Sequence, residues 1–179
     1  MGRIGIYGGT FNPPHIGHIY AAQYAVSALE LDMLLMMPAC ISPHKTLPEG
    51  SASPQQRMKM LQLATVDMDR MQISDLELLR GGTSYTYETV AQVKALHPAD
   101  EVVFLMGTDM FLSFDSWRFP EKILESASLG VLYRGDKGEV DAIDAQKQML
   151  QIMKEDWTTE GESVDSILRE IKWLEGLKN

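Results

Sequence analysis

Along the chain, short unbroken apolar runs take turns with stretches in which apolar residues recur every three or four positions. Residues 3 to 7, Arg-Ile-Gly-Ile-Tyr, are β-prone and bounded by glycines, as a buried strand is. From Ile16 to Glu30 an alanine-rich segment sets Ile19, Ala22, Val26 and Leu29 on one helical stripe. Residues 32 to 38 predict a second buried strand, closing a right-handed parallel β-α-β unit. After a long turn-rich stretch, Ser53 as N-cap and Pro54 at the first helical position start a helix. Residues 71 to 78 alternate apolar and polar and predict a half-buried strand, and a helix follows over 87 to 97. The run 101 to 107 is the most strand-like of all, which predicts a central parallel strand. A helix at about 120 to 127 and a strand at 128 to 134 complete the series.

Strand and helix in alternation predict a doubly wound, Rossmann-like parallel α/β sheet as the core of one domain, residues 1–140. Beyond it, 141–179 reads as a helical tail of the same domain with no strand. It splits into two amphipathic helices at Thr-Thr-Glu-Gly-Glu-Ser, the second carrying Val164, Ile167, Leu168, Ile171, Leu174 and Leu177 on one stripe.

Composition narrows the function. A chain of 179 residues with 45% apolar and 23% charged residues suits a single globular domain. A net charge of −9 argues against a general nucleic-acid binder, so an anionic ligand has to be held by local positive features. The single cysteine, Cys40, excludes an intramolecular disulfide and a cysteine-based zinc site. Neither an export segment nor a membrane span is signalled, and the expectation is a soluble, cytoplasmic protein. The twelve methionines read as core filler.

The segments that break the pattern, 8–18, 38–46, 81–87, 107–118 and 134–138, all fall on the carboxyl edge of the predicted sheet, where such folds bind ligands. The first is Gly-Gly-Thr-Phe-Asn-Pro-Pro-His-Ile-Gly-His. Gly8 and Gly9 let the backbone approach a phosphate, and a helix starting near Ile16 aims its free N–H groups and positive end at the same spot. The spacing matches neither the dinucleotide fingerprint nor the P-loop. His15 and His18, three apart around Gly17, share a face from which two imidazoles donate to the oxygens of a reacting phosphate.

This segment resembles the (H/T)xGH signature of the nucleotidyltransferase superfamily, in the form found in bacterial nicotinate-nucleotide adenylyltransferases. Ser42-Pro-His-Lys45 is similar to that family's Pro-His-Lys loop, and Ser84-Tyr-Thr-Tyr-Glu-Thr-Val90 to its Ser-Tyr-Thr segment with Glu88 in place of Asp. Gly107 to Trp117 is similar to its Gly-x-Asp…Trp segment, and residues 132–138 to its Arg-containing loop. The resemblance implies transfer of AMP from ATP to nicotinate mononucleotide with Mg²⁺, giving deamido-NAD and pyrophosphate. It implies a catalytic set of His15, His18 and Lys45. It further implies ATP contacts at Gly8, Gly9, Thr10, Phe11, His15, His18, Gly107, Asp109 and Arg134. The mononucleotide falls to Asn12, Lys45, Ser84, Tyr85, Thr86, Asp109 and Trp117, with Trp117 stacked on the pyridine ring and the amides of Thr86 and Tyr87 on its carboxylate. No metal ligand set is read from the protein side chains. The expected partners are these two small molecules, with no nucleic acid and no membrane, and a homo-oligomer is left open.

One family motif, Ile-Ser-Ser-Thr-x-Ile-Arg after a short strand, is absent; Val-Asp-Ser-Ile-Leu-Arg-Glu, with Ser166, Leu168 and Arg169, is the nearest string. Two other readings therefore stay open. One is a nucleotide-binding protein with weak catalysis whose tail meets a partner. The other is an adenylyltransferase for a different acceptor such as pantetheine phosphate.

Overall fold

The structure, a computed structural model, describes residues 2–133, 135–157 and 168–172. Its strands are β1 (Arg3–Gly9), β2 (Met33–Pro38), β3 (Met71–Ile73), β4 (Glu101–Gly107), β5 (Ser128–Tyr133) and β6 (Leu168–Lys172). They form one sheet in the order β3-β2-β1-β4-β5-β6, and every neighbouring pair is parallel. The helices are α1 (Ile16–Ala28), α2 (Pro54–Ala64), α3 (Leu76–Arg80), α4 (Thr86–Leu96), α5 (Thr108–Leu112), α6 (Pro120–Ser126) and α7 (Lys137–Trp157). The chain winds outward from β1 to β3, then returns to lay β4 on the other side of β1. Strand order therefore reverses between β1 and β4, and their carboxyl ends bracket the point where such sheets take ligands.

Both faces of the sheet are covered, which is why β4 reads as an unbroken apolar run. Val102, Phe104 and Met106 point into one core with Ile4, Ile6, Val90, Val93, Ile123 and Ile143. Val103 and Leu105 point into the other with Ala21, Ala22, Ala25, Leu31 and Leu34. Close packing over β1 depends on Gly5: a Cβ there would sit 2.6 Å from Cδ1 of Leu31 and 2.9 Å from Cδ1 of Leu34, both fully buried.

Two expectations are corrected. The strand predicted over 71–78 ends at Ile73, because the backbone turns at Ser74. The Ser74 N–H still donates to the Met36 carbonyl at 2.9 Å, as a strand residue does, but its Oγ accepts the Leu76 N–H at 3.3 Å and starts α3. The tail is not wholly helical either. Its first helix is present as α7, but residues 168–172, which lie in the predicted second helix, form β6 beside β5. Pairing there satisfies backbone groups along β5 that a helix would leave unmatched. The rest of that stripe, at 164–167 and 173–179, lies outside the described residues. Among the described residues no helix is long and apolar enough to cross a membrane.

Gly5→Ala is expected to lower the unfolding free energy by about 1–3 kcal/mol through overpacking. A denaturant midpoint unchanged from wild type would show that Leu31 and Leu34 yield without strain.

Candidate active site

The loop from β1 to α1 ends in an unusual helix cap. His15 is the N-cap, with extended backbone at φ −133° and ψ 171°, and its Nδ1 accepts the Gly17 N–H at 3.1 Å. His18 reaches back, its Nδ1 accepting the His15 N–H at 3.0 Å. Two imidazoles thus make the reciprocal cap that Ser or Thr and Glu usually make. The rings stack with centroids 3.7 Å apart and planes 26° from parallel. Because each Nδ1 accepts, these hydrogen bonds assign each neutral ring's proton to Nε2, which leaves that N–H to donate to a ligand. Gly17 is required by contact: a Cβ would lie 2.9 Å from Cε1 of His15 and 3.0 Å from its Nδ1. The sequence feature that framed the two histidines therefore makes room for one of them to fold back.

His18 is held neutral. Its pKa is pushed down to about 4, first by burial and then by the charges of His15 and Lys45. The burial comes from Phe11, whose ring meets His18 edge-on at 5.0 Å, and from Tyr7 at 6.4 Å. Phe11 takes a left-handed backbone, φ 50°, to place that ring in the core.

Beneath the loop lies Arg57 of α2, only 1% exposed. One guanidinium nitrogen donates to the Thr10 carbonyl at 2.6 Å and the other to the Ala39 carbonyl at 2.8 Å. Its Nε has no partner among the described residues, and no carboxylate there pairs with it. A buried cation therefore ties the loop after β1 to the loop after β2.

The loop after β2 is stitched onward to the start of α4. Ile41 and Thr83 pair in an isolated parallel bridge, the Ser84 N–H donates to the Ile41 carbonyl at 2.8 Å, and Ser84 Oγ accepts the Cys40 N–H at 2.9 Å. Between these anchors Ser42 Oγ accepts the N–H groups of His44 and Lys45, each at 3.2 Å. Lys45 stands close enough to His18 and His44 that its charge lowers both pKa values, after burial. Helix α4 starts at Tyr85 without a side-chain cap, unlike α1 and α2, so its first amides stay open.

These loops enclose a cleft of about 410 Å³, the size of a small-ligand site. The first loop lines it from Gly8 to Asn12 and with His15 and His18; later loops add Lys45, Ser84, Thr86, Gly107 and Trp117. Trp117 is largely buried against Phe104 and Phe114, its Nε1 donates to Ser113 Oγ at 3.2 Å, and the His44 ring covers it at 4.6 Å. Three expected residues stand apart. Tyr85 lines an adjoining groove beside Arg118, whose guanidinium lies 4.6 Å from its ring centroid. Asp109 is exposed on the first turn of α5 and does not line the cleft, although Gly107 and Met110 do. Arg134 lies outside the described residues.

Sequence reasoning passed over Arg57 and Glu77, both buried. Arg57 stands in the string Gln-Gln-Arg-Met-Lys, which reads as a solvated helix face, and Glu77 took a polar place in the strand predicted over 71–78.

Residues 6–169 match the model of the cytidylyltransferase-like family. The chain belongs to the cytidylyltransferase-like family. This family member is 39% identical over 132 residues to a Borreliella burgdorferi protein named "Probable nicotinate-nucleotide adenylyltransferase", a match covering 74% of this chain and 68% of that one. A Geobacillus thermodenitrificans protein of the same name is 42% identical over 125 residues, 70% of this chain; the chain thus spans 57% of that relative's length. The Plasmodium falciparum nicotinic acid mononucleotide adenylyltransferase complexed with NaAD shares the fold, with a TM-score of 0.68 at 19% identity over 99% of this chain and 78% of that one. The family resemblance read from the loop motifs is borne out.

Two outcomes test the geometry of this cytidylyltransferase-like site. Burial lowers the His18 pKa below its unfolded value near 6.5, so stability present above that value is lost as pH falls toward 4. In an NMR titration the His18 ring is expected to protonate near pH 4; a midpoint near 6.5 would show an exposed ring. Arg57→Met strands the Thr10 and Ala39 carbonyls, and the expected loss of stability is about 2–6 kcal/mol at roughly 1–3 kcal/mol per unpaired group.

Proposed function

We propose that the chain transfers AMP from ATP to nicotinate mononucleotide, giving deamido-NAD and pyrophosphate. The observation that carries this reading is the imidazole pair, whose Nδ1 atoms are both engaged by backbone and whose Nε2–H groups are left to a ligand at the switch point of the sheet. A phosphate oxygen of the mononucleotide attacks the α-phosphorus of ATP in line, the bond from that phosphorus to the bridging oxygen breaks, and pyrophosphate leaves. Such a step asks the protein for positioning and for charge stabilisation rather than for covalent chemistry.

In this reading Gly8, Gly9 and Thr10 admit the phosphates to the backbone, and His15 and His18 donate to the oxygens on which charge builds. Lys45 adds a point charge, and buried Arg57 adds a fixed positive field beneath the loop while holding it in place. Across the cleft the open amides of α4 receive the ring carboxylate, and Trp117 supports the pyridine. Asp109, exposed outside the cleft lining on the first turn of α5, is given the ribose hydroxyls by the family resemblance alone. Among the described residues no group of three His, Cys, Asp or Glu side chains is arranged to hold a metal ion. Mg²⁺ would enter on the ATP triphosphate and would there neutralise phosphate charge.

Incubation with nicotinate mononucleotide, ATP and Mg²⁺ is expected to release pyrophosphate. Binding of the mononucleotide without release would favour the nucleotide-binding reading, and turnover with pantetheine phosphate alone would favour the other acceptor. His18→Ala is expected to cut kcat by about 10²–10³, the size of losing one transition-state donor. Because it also removes a cap bond, a loss of stability of about 0.5–2 kcal/mol accompanies it. Normal turnover with that loss would confine His18 to the cap.

A further inference from the structure

The proposed reaction leaves one group of the cleft without a task. Among the described residues that line it, Glu77 is the one carboxyl, set in a wall that otherwise offers amides, imidazoles and Lys45 to anions. It is 6% exposed and makes no ion pair among the described residues. Its Oε2 accepts the Thr89 hydroxyl at 3.0 Å. Thr89 lies three residues beyond Thr86, and its hydroxyl also reaches the Tyr85 carbonyl at 3.3 Å. The carboxyl is thus bonded into the first turn of α4, the turn that the proposed function gives to the ring carboxylate. An ionised carboxylate at that place repels an anion, whereas a neutral acid donates to it. Toward a carboxamide the roles reverse, since the ionised form accepts its N–H.

On the reading given above, we propose that Glu77 is a proton-coupled specificity residue, held as the neutral acid when a nucleotide bearing a ring carboxylate occupies the cleft, and so setting the preference for acid over amide. Burial favours that state, pushing the Glu77 pKa up to about 7 against the Thr89 hydrogen bond and the Arg80 charge. The charged surroundings are few. Arg80, on the same helix, donates to Thr89 Oγ1 at 3.0 Å and holds Glu88 of α4 at 3.2 Å, and Glu88 also accepts the Tyr87 hydroxyl at 3.0 Å. Strand β2, against which α3 packs, carries no titratable side chain, and the cleft side adds Tyr7, His15, His18, His44 and Lys45. The sign follows from linkage. Below a pH of about 7 the acid form is already present, and above it each binding event has to bring in a proton.

The test is the ratio of affinities for nicotinate and nicotinamide mononucleotide, measured by calorimetry across about pH 6 to pH 8. Both ligands carry the same phosphate, so its ionisation cancels in the ratio. The wild-type ratio is expected to fall about tenfold over that range, from a one-proton linkage with a midpoint near 7. In Glu77→Gln, which keeps the shape and an acceptor for Thr89, the ratio is expected to stay flat, and proton uptake on binding the acid is expected to drop. Thr89→Val removes the hydrogen bond that lowers the Glu77 pKa and is expected to move the midpoint to higher pH. An equal slope in Glu77→Gln and wild type, or an unmoved midpoint in Thr89→Val, overturns the proposal while leaving adenylyl transfer standing. Failure of the wild type to bind nicotinate mononucleotide at any pH overturns both.

Discussion

The cleft depends on a single buried cation. Arg57 donates to carbonyls in two loops that leave different strands, and nothing of opposite formal charge sits beside it among the described residues. Burying a guanidinium in this way is costly unless its N–H groups are used, and two of its three nitrogens are. The cost is met by order: with Thr10 and Ala39 held, the glycine loop and the loop after β2 keep a fixed spacing. The same charge biases the cleft toward anions in a chain whose net charge is −9. Overall charge and the local charge at Arg57 have opposite sign here.

The imidazole pair shows structure and chemistry using the same atoms. Each ring spends its Nδ1 on the helix start, and this fixes which nitrogen keeps the proton. A cap of Ser and Glu would secure the helix equally well but would present no N–H to a phosphate. Gly17 completes the arrangement, because no other residue lets His15 fold onto its own helix without a clash. Burial of His18 under Phe11 and Tyr7 keeps its ring neutral, so it acts as an oriented dipole and not as an ion.

Much of this was legible in the chain because the signals were local. An unbroken apolar run marked β4, Ser53-Pro54 marked the start of α2, and the glycines and histidines after β1 marked the loop that caps α1 and lines the cleft. What escaped depended on partners distant in sequence. Residues 74–78 continue the strand alternation predicted from Met71, yet a serine hydroxyl starts α3 there, and no period reports a side chain bonding its own backbone. Residues 168–172 fit a helical stripe, yet the exposed edge of β5 draws them into the sheet. Arg57 and Glu77 look like solvated charges because the partners they meet, Thr10 in the glycine loop and Thr89 on α4, lie 47 and 12 residues away.

The stitching of the loop after β2 has a consequence for which substitutions the cleft tolerates. The bonds that hold the loop after β2 land on main-chain atoms: the carbonyls of Thr10, Ala39 and Ile41 and the N–H of Cys40. Only Arg57 and Ser84 supply side chains to them. Because the bonds at Cys40, Ile41 and Thr83 use main-chain atoms, a change of side chain there leaves the frame in place, whereas loss of Arg57 or Ser84 removes it.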